Sequence, residues 1–401
     1  MKYKGSVMVL TTSFPVKDKI AVGLHIMEKC KHLMKKGWKV RVLAPSHYSS
    51  PNRENIDGIE VKRFNYFFIK KLQKLTYGAG IPTNVRKSLL AKIQIPFFLL
   101  LFLLNSIVQS KKSDIIHSHW SLAGIVGILT SKILKKKNVL MMHGADIFVL
   151  GKNPFLKFIL KNSDYLLCNS RYTEKMALEI YPVKTHKIVS PGVDLHKFYP
   201  QIKNLRKKLN IGENDTFILS LAKFIPRKGI EYLIEAMDIL VNKKKYSNIY
   251  VRLGGRGPLK KRYLNLIKKY NLNRYIKFTG YINKIDIANY YSEADIFVLP
   301  SIIDDSGDTE GLGVVLLEAN ACGTPVIGSR VGGIQDIILD GKNGFFVEQK
   351  SASDIANKLI KLINNPKLRE EMGRTGKKYV SEKFNWEKNV EDIVKIYNRI
   401  L

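Results

Sequence analysis

The chain has 401 residues, 45% hydrophobic and 25% charged, which excludes a disordered or fibrous polypeptide and leaves room for two domains of about 200 residues each. Three scattered cysteines, Cys30, Cys168 and Cys322, exclude a disulfide framework or a CxxC zinc site and suit a reducing compartment. The net charge of +33 is uneven: residues 1–200 hold 33 Lys/Arg against 11 Asp/Glu, and the remainder 34 against 23. Such a surface attracts nucleic acid, anionic lipid or phosphorylated substrates without choosing among them, and solvated lysine explains much of it equally well. The opening MKYKGSVMVLTTSFP resembles a signal peptide, but its apolar run is too short and reads as a first β-strand.

Short apolar runs alternate with amphipathic stretches from there on, the mark of βαβ units. Strands are predicted at residues 6–12, 39–44, 114–117, 139–142 and 165–168, with helices at 23–36 and 171–180. Residues 93–108, IQIPFFLLLFLLNSIV, are apolar on all sides, too short to span a bilayer, and interrupted by Pro96. They read as a buried helix or as one lying in a membrane interface, where Lys70, Lys71, Lys74, Lys87 and Lys92 suit anionic headgroups. The pattern pauses in PGVDLHKFYP, residues 191–200, as in a linker. A second series follows, with strands at 217–222, 250–254, 276–279, 296–300 and 326–328. The closing helix has apolar Val390, Ile393, Val394 and Tyr397 at helical spacing. Two such series predict two doubly wound α/β domains.

The segment from Asp304 to Gly333 carries most of the chemistry. A polar loop after the strand ending at Pro300 leads into a helix predicted to start near Gly311, where ligands bind in an open α/β sheet. The helix end offers free N–H groups and a positive dipole end, and Gly311 and Gly313 let a diphosphate or sugar approach closely. Glu310 and Glu318 fall on roughly one face, and paired carboxylates beside an anion site suit the hydroxyls of a nucleotide sugar. In LAKFIPRKG, residues 221–229, Lys223, Arg227 and Lys228 follow a strand and would neutralise a leaving diphosphate. His119 in HSHW and His143 in MMHGADIF end strands of the first series, and Asp146 would cap the next helix or bind acceptor. Asp304, Asp305 and Asp308 also admit a metal reading.

EGLGVVLLE resembles the E-x7-E motif of the retaining glycosyltransferase family 4, and the resemblance covers nearly the whole chain. It implies a GT-B fold, in which two Rossmann-like domains face each other across a cleft: an acceptor domain over residues 1–193, completed by a terminal helix at 384–401, and a nucleotide-sugar donor domain over 201–383. It implies that Glu318 binds the donor ribose and that Glu310 contacts the transferred sugar beside the backbone of Gly311, Leu312 and Gly313. LAKFIPRKG is similar to the family's GRLVxxKG, with Lys228 on the phosphates and Lys223 where arginine is usual. The HGxD match implies that His143 points at the donor sugar near the reacting carbon, with His119 a candidate for acceptor binding. Gly23 matches a glycine-bearing loop near the donor phosphates, although Val22 replaces the expected first glycine. Gly280-Tyr281 corresponds to a segment near the base.

The resemblance thus implies a retaining hexosyltransferase that uses a nucleoside diphosphate sugar and needs no metal or other cofactor. The partners expected are a glycan or lipid-linked acceptor and an anionic membrane surface, not a specific nucleic acid. The expected location is cytoplasmic, peripheral on the inner face of the cell membrane. Two rival readings are a nucleotide-sugar epimerase on the same fold and a basic membrane- or nucleic-acid-binding protein without catalysis.

Overall fold

The computed structural model describes residues 3–16, 22–78, 80–144, 147, 151, 153–201, 204–283 and 285–401. The chain divides into two compact units, Met1–Gly192 with Trp386–Leu401, and Val193–Asn385.

The first unit holds eight strands: β1 (Gly5–Thr11), β2 (Trp38–Pro45), β3 (Arg53–Ile56), β4 (Ile59–Phe64), β5 (Ile115–His119), β6 (Lys137–Met142), β7 (Tyr165–Cys168) and β8 (His186–Ile188). They form one sheet in the order β3-β4-β2-β1-β5-β6-β7-β8. Every pairing is parallel except β3 with β4. Strands of a parallel sheet are covered on both faces, so they read as continuous apolar runs such as YLLC in β7, buried throughout. The β3–β4 hairpin lies at the sheet edge, and its polar RENI and IEVKRF lack that signature; the sequence reading passed over it.

The second unit holds β9 (Thr216–Leu221), β10 (Ile249–Gly254), β11 (Ile276–Gly280), β12 (Ile296–Leu299), β13 (Val326–Ser329) and β14 (Gly344–Val347). Its sheet runs β11-β10-β9-β12-β13-β14, parallel throughout. This is the doubly wound 3-2-1-4-5-6 order, and the first unit repeats it as β4-β2-β1-β5-β6-β7. Strand order reverses between β1 and β5 in one sheet and between β9 and β12 in the other. Ligands enter such sheets beyond the carboxyl ends of those strands.

Residues 191–200 do not behave as a free linker. Val193 and Phe198 are buried in the second unit's core, and the Val193 N–H donates to the Phe384 carbonyl at 2.9 Å. The closing helix Trp386–Ile400 belongs to the first unit because its apolar side, Trp386, Val390, Ile393, Ile396 and Tyr397, is buried there. The Tyr397 ring stands edge-on to Trp38 at 4.8 Å, and its hydroxyl pairs with His117 Nδ1. The apolar stretch forms a helix over Leu89–Ser110, longer at both ends than residues 93–108. Ser88 caps it through the Ala91 N–H, and Pro96 sits inside without ending it.

Candidate functional site

In the second unit the site starts from two loops. After β9 the chain makes a short turn at Pro226–Lys228, and Gly229 adopts φ 59° before the helix Ile230–Asp238. A side chain at Gly229 would strike the Pro300 carbonyl oxygen at the end of β12, so only glycine lets the two loops close together. The Ile302 N–H donates to the Arg227 carbonyl at 2.8 Å. This contact brings Lys228 onto Glu310: both side chains are buried, and the Lys228 ammonium donates directly to Glu310 Oε2. Arg227 Nη1 reaches the same oxygen at 3.3 Å, and its Nε reaches Asp308 at 3.2 Å. Burial alone would raise the Glu310 carboxyl, but the two cations outweigh it and hold the group below its ordinary range. Burial lowers Lys228, and Glu310 offsets part of that. A buried pair of this kind is costly to break, because either partner alone is an uncompensated charge.

The glutamates part company. The helix begins at Val314, not near Gly311, so Glu310 lies in the preceding loop. Gly313 caps it with φ 90°, without a side-chain cap and without an acidic residue in the first turn. The loop is pinned by the Gly333 N–H donating to the Glu310 carbonyl at 2.9 Å, leaving Gly311, Leu312 and Gly313 as the approach to the helix end. Glu318, a turn and more into that helix, accepts instead from the Tyr291 hydroxyl at 2.7 Å. It is half-buried at its own surface but enclosed by protein. That enclosure raises its carboxyl to about 7, against the pull of the Tyr291 bond and of Lys197.

The first unit places its candidates at the carboxyl ends of β5 and β6. His119 Nδ1 and His143 Nε2 lie 2.9 Å apart. His25 packs edge-on to His143 at 4.9 Å between centroids, and Trp120 tilts over His143 at 4.3 Å. His25 stands two residues after Gly23, which takes φ 69° at the start of the helix Leu24–Lys35. A side chain at Gly23 would meet the Ser13 carbonyl oxygen at 2.6 Å, so the glycine is what lets this helix start against the β1 loop. Burial, aided by the charge of Lys29, lowers His25 to about 4 and puts His119 and His143 well below the ordinary histidine range. Lys29 itself is buried and pushed down to about 8. The Nε2 atoms of His25 and His119 and the Trp120 Nε1 are buried without a partner among the described residues.

Other predicted residues stand apart. Lys223 is exposed, and its side chain takes no part in the Lys228–Glu310 network. Tyr281 follows the edge strand β11 and is 58% exposed, with the Arg256 guanidinium 5.3 Å from its ring. Asp308 is spent on Arg227, and Asp304 accepts from Ser306. Asp146 lies outside the described residues.

Comparison with known proteins bears on both units. Residues 22–197 match Glycosyltransferase Family 4 and residues 201–379 match Glycosyl transferases group 1. An uncharacterized glycosyltransferase of Methanocaldococcus jannaschii is 34% identical over 303 residues, 74% of this chain and 78% of that protein. The chain belongs to the GT-B glycosyltransferases of the family 4 type. The GDP-mannose-dependent alpha-(1-6)-phosphatidylinositol monomannoside mannosyltransferase of Mycolicibacterium smegmatis is 27% identical over 65% of this glycosyltransferase and 70% of its own length. Among solved structures, sucrose-phosphate synthase from Thermosynechococcus elongatus superposes with a TM-score of 0.79 at 24% identity, covering 99% of each chain. Anabaena HepE in complex with UDP-glucose gives 0.74 at 16%, covering 98% of this chain and all of that one.

Several side chains of this glycosyltransferase's site went unnamed in the sequence reading. Arg227 is expected from the sequence as a cation for the diphosphate, but its pairing with Glu310 and Asp308 is not. Tyr291, 27 residues before Glu318, and Lys29 carry no local signal. His25 could have been suspected from its place two residues after Gly23.

Proposed function

We propose that this glycosyltransferase moves a hexose-type sugar from a nucleoside diphosphate sugar to a hydroxyl of a glycan or lipid-linked glycan, retaining the anomeric configuration. The observation that carries the proposal is the buried Lys228–Glu310 pair with Arg227, at the strand-order reversal of the second sheet. A diphosphate leaving group arrives with charge that needs neutralising, and Lys228 and Arg227 supply it from preformed positions. Glu310 holds both cations in place and, with the N–H groups at Gly311, Leu312 and Gly313, orients the transferred sugar. Glu318, once ionised, accepts from the ribose hydroxyls. Tyr281 and Arg256 take the base side. In the first unit, His143 is assigned to the transferred sugar and His119 to the acceptor, as neutral imidazoles that donate or accept without adding charge.

The bond that breaks joins the anomeric carbon to the diphosphate oxygen, which keeps the electron pair. The bond that forms joins that carbon to the acceptor oxygen on the same face, and the acceptor's hydroxyl proton passes to the departing diphosphate. No metal is required in this scheme, since the cations are already present. A nucleotide-bound sugar in HepE and the GDP-mannose dependence of the mycobacterial relative support the donor class.

The test is a thermal-stabilisation screen of nucleotide sugars followed by a transfer assay. Donor binding to the folded state adds about 2.7 kcal/mol at a hundred times Kd, so one nucleotide sugar should raise Tm clearly and then be consumed only when acceptor is present. No shift with any nucleotide sugar, or consumption of donor alone by epimerisation, would sink the proposal.

A further inference from the structure

The helix Leu89–Ser110 wears its polarity inside out. Its buried side carries Ala91, Gln94, Phe98, Phe102, Ser106 and Ser110. Gln94 is tied inward, donating to the Leu72 carbonyl at 2.7 Å and accepting from the Lys74 N–H at 3.0 Å, and Ser106 accepts from Thr130 at 2.9 Å. The outward side is a stripe of Leu89, Ile93, Phe97, Leu100, Leu104 and Val108, each between 40% and 73% exposed. The intervals are three or four residues, one helical face. A surface helix in water shows the opposite arrangement.

The stripe does not stop at the helix. Phe68, 91% exposed, brings its ring within 6.4 Å of Phe97, and Ile69 and Leu72 beside it are exposed as well. An apolar patch of this continuity marks a contact surface rather than scattered surface residues. Only 28% of the helix's most apolar stretch is buried, so it is not a core helix. It is also not free to cross a bilayer. Its inner side is packed, with Phe102 stacked on Phe64 at 4.7 Å, Phe98 edge-on to Tyr66 at 5.3 Å, and Ser106 bonded to the helix Ser121–Leu134. The orientation left is along a surface.

Charge selects the occupant. Between Glu60 and Asp114 the sequence has no Asp or Glu, and no charged residue of either sign falls between Lys92 and Lys111. The cations stand at the margin instead: Lys71, Lys74, Arg86, Lys87 and Lys92, all exposed. A second copy docked through this face would set these cations against one another. A bilayer with anionic headgroups accepts both features, acyl region for the stripe and headgroups for the rim. We propose that the stripe of the helix Leu89–Ser110, with Phe68 and the flanking lysines, seats the protein on an anionic phospholipid surface, the helix lying in the interface plane. The proposal does not depend on the transfer chemistry.

Sedimentation of the purified full-length chain with phosphatidylcholine vesicles, with and without about one third phosphatidylglycerol, tests it. The wild type should partition at least about tenfold more strongly to the anionic vesicles, and added salt should weaken the difference. The variant L100E/L104E changes two exposed positions, should keep its circular dichroism and Tm, and should lose roughly tenfold or more of the vesicle binding. Replacing Lys71, Lys74, Lys87 and Lys92 with glutamine should abolish the anionic preference. The proposal is overturned if the wild type binds neither vesicle or both equally, or if L100E/L104E binds like wild type. It is also overturned if, without lipid, ultracentrifugation shows a wild-type dimer that L100E/L104E dissolves, because the stripe would then be a protein interface.

Discussion

The two units repeat one strand order and build opposite electrostatics on it. Beyond β9 and β12 the second unit gathers Lys228, Arg227, Glu310 and Asp308, a compensated set of ions in a buried place. Beyond β5 and β6 the first unit gathers His25, His119, His143 and Trp120 and keeps the imidazoles uncharged by burying them near Lys29. The first unit is the more basic half of the chain, yet the groups its site presents are uncharged imidazoles, with Lys29 buried beside them. A shared topology places both sites, and local burial decides which meets charge. Ions suit a diphosphate; uncharged donors and acceptors suit hydroxyls.

The sharpest way to break this contrast is Lys228→Ala. It leaves the buried Glu310 carboxylate with Arg227 at 3.3 Å in place of the direct Lys228 contact, so stability should fall by up to about 3–5 kcal/mol and kcat by about 10²–10³-fold. The double variant K228A/E310Q should recover part of the stability and none of the rate. Full additivity in urea denaturation would mean that the pair is not coupled. His143→Ala should cost a comparable but smaller factor, about 10–10² in kcat, with a smaller stability loss of about 1–3 kcal/mol from the unpaired His119 Nδ1, since no ion is left without its partner. A stability loss as large as that of K228A would erase the distinction between the sites.

pH gives a third handle. Glu318 has a folded value of about 7, raised from 4.5, so the folded state holds its proton while the unfolded chain releases it. Its contribution is complete below about 4.5 and is lost as pH rises to 7. His25, lowered from 6.5 to about 4, works the other way: its contribution is present above 6.5 and is lost as pH falls towards 4. Between pH 5 and 7.5 the two groups tilt stability in opposite directions. Glu318→Gln should therefore steepen the loss of stability on acidification, and it should remove any rise in donor affinity through pH 7. Denaturation curves at the two pH values that match wild type would refute the raised value. The smallest effect belongs to Lys223→Ala, which should change kcat/KM by less than about threefold, against a much larger loss for Arg227→Ala. The reverse order would restore Lys223 to the phosphate site.

The chain's own pattern determined the fold class. Apolar runs such as FILSL and DIFVLP can be satisfied only as strands covered on both faces, and alternation with amphipathic stretches makes them parallel. The resemblance to the glycosyltransferases was carried by residues close together in sequence, EGLGVVLLE above all, and the family matches over residues 22–197 and 201–379 are what show the membership. The edge hairpin of β3 and β4 escaped because an exposed edge needs no apolar run. What the tertiary structure alone decided is which side chains meet. Lys228 and Glu310 are 82 residues apart, and Gly229 against Pro300 is what closes that distance. Glu318 looked like a partner of Glu310 on one helix face, but the helix starts at Val314, and Tyr291 claims it. Burial, a property of the whole packed unit, then set the charge of each group, and it turned the apolar stripe of Leu89–Ser110 outward.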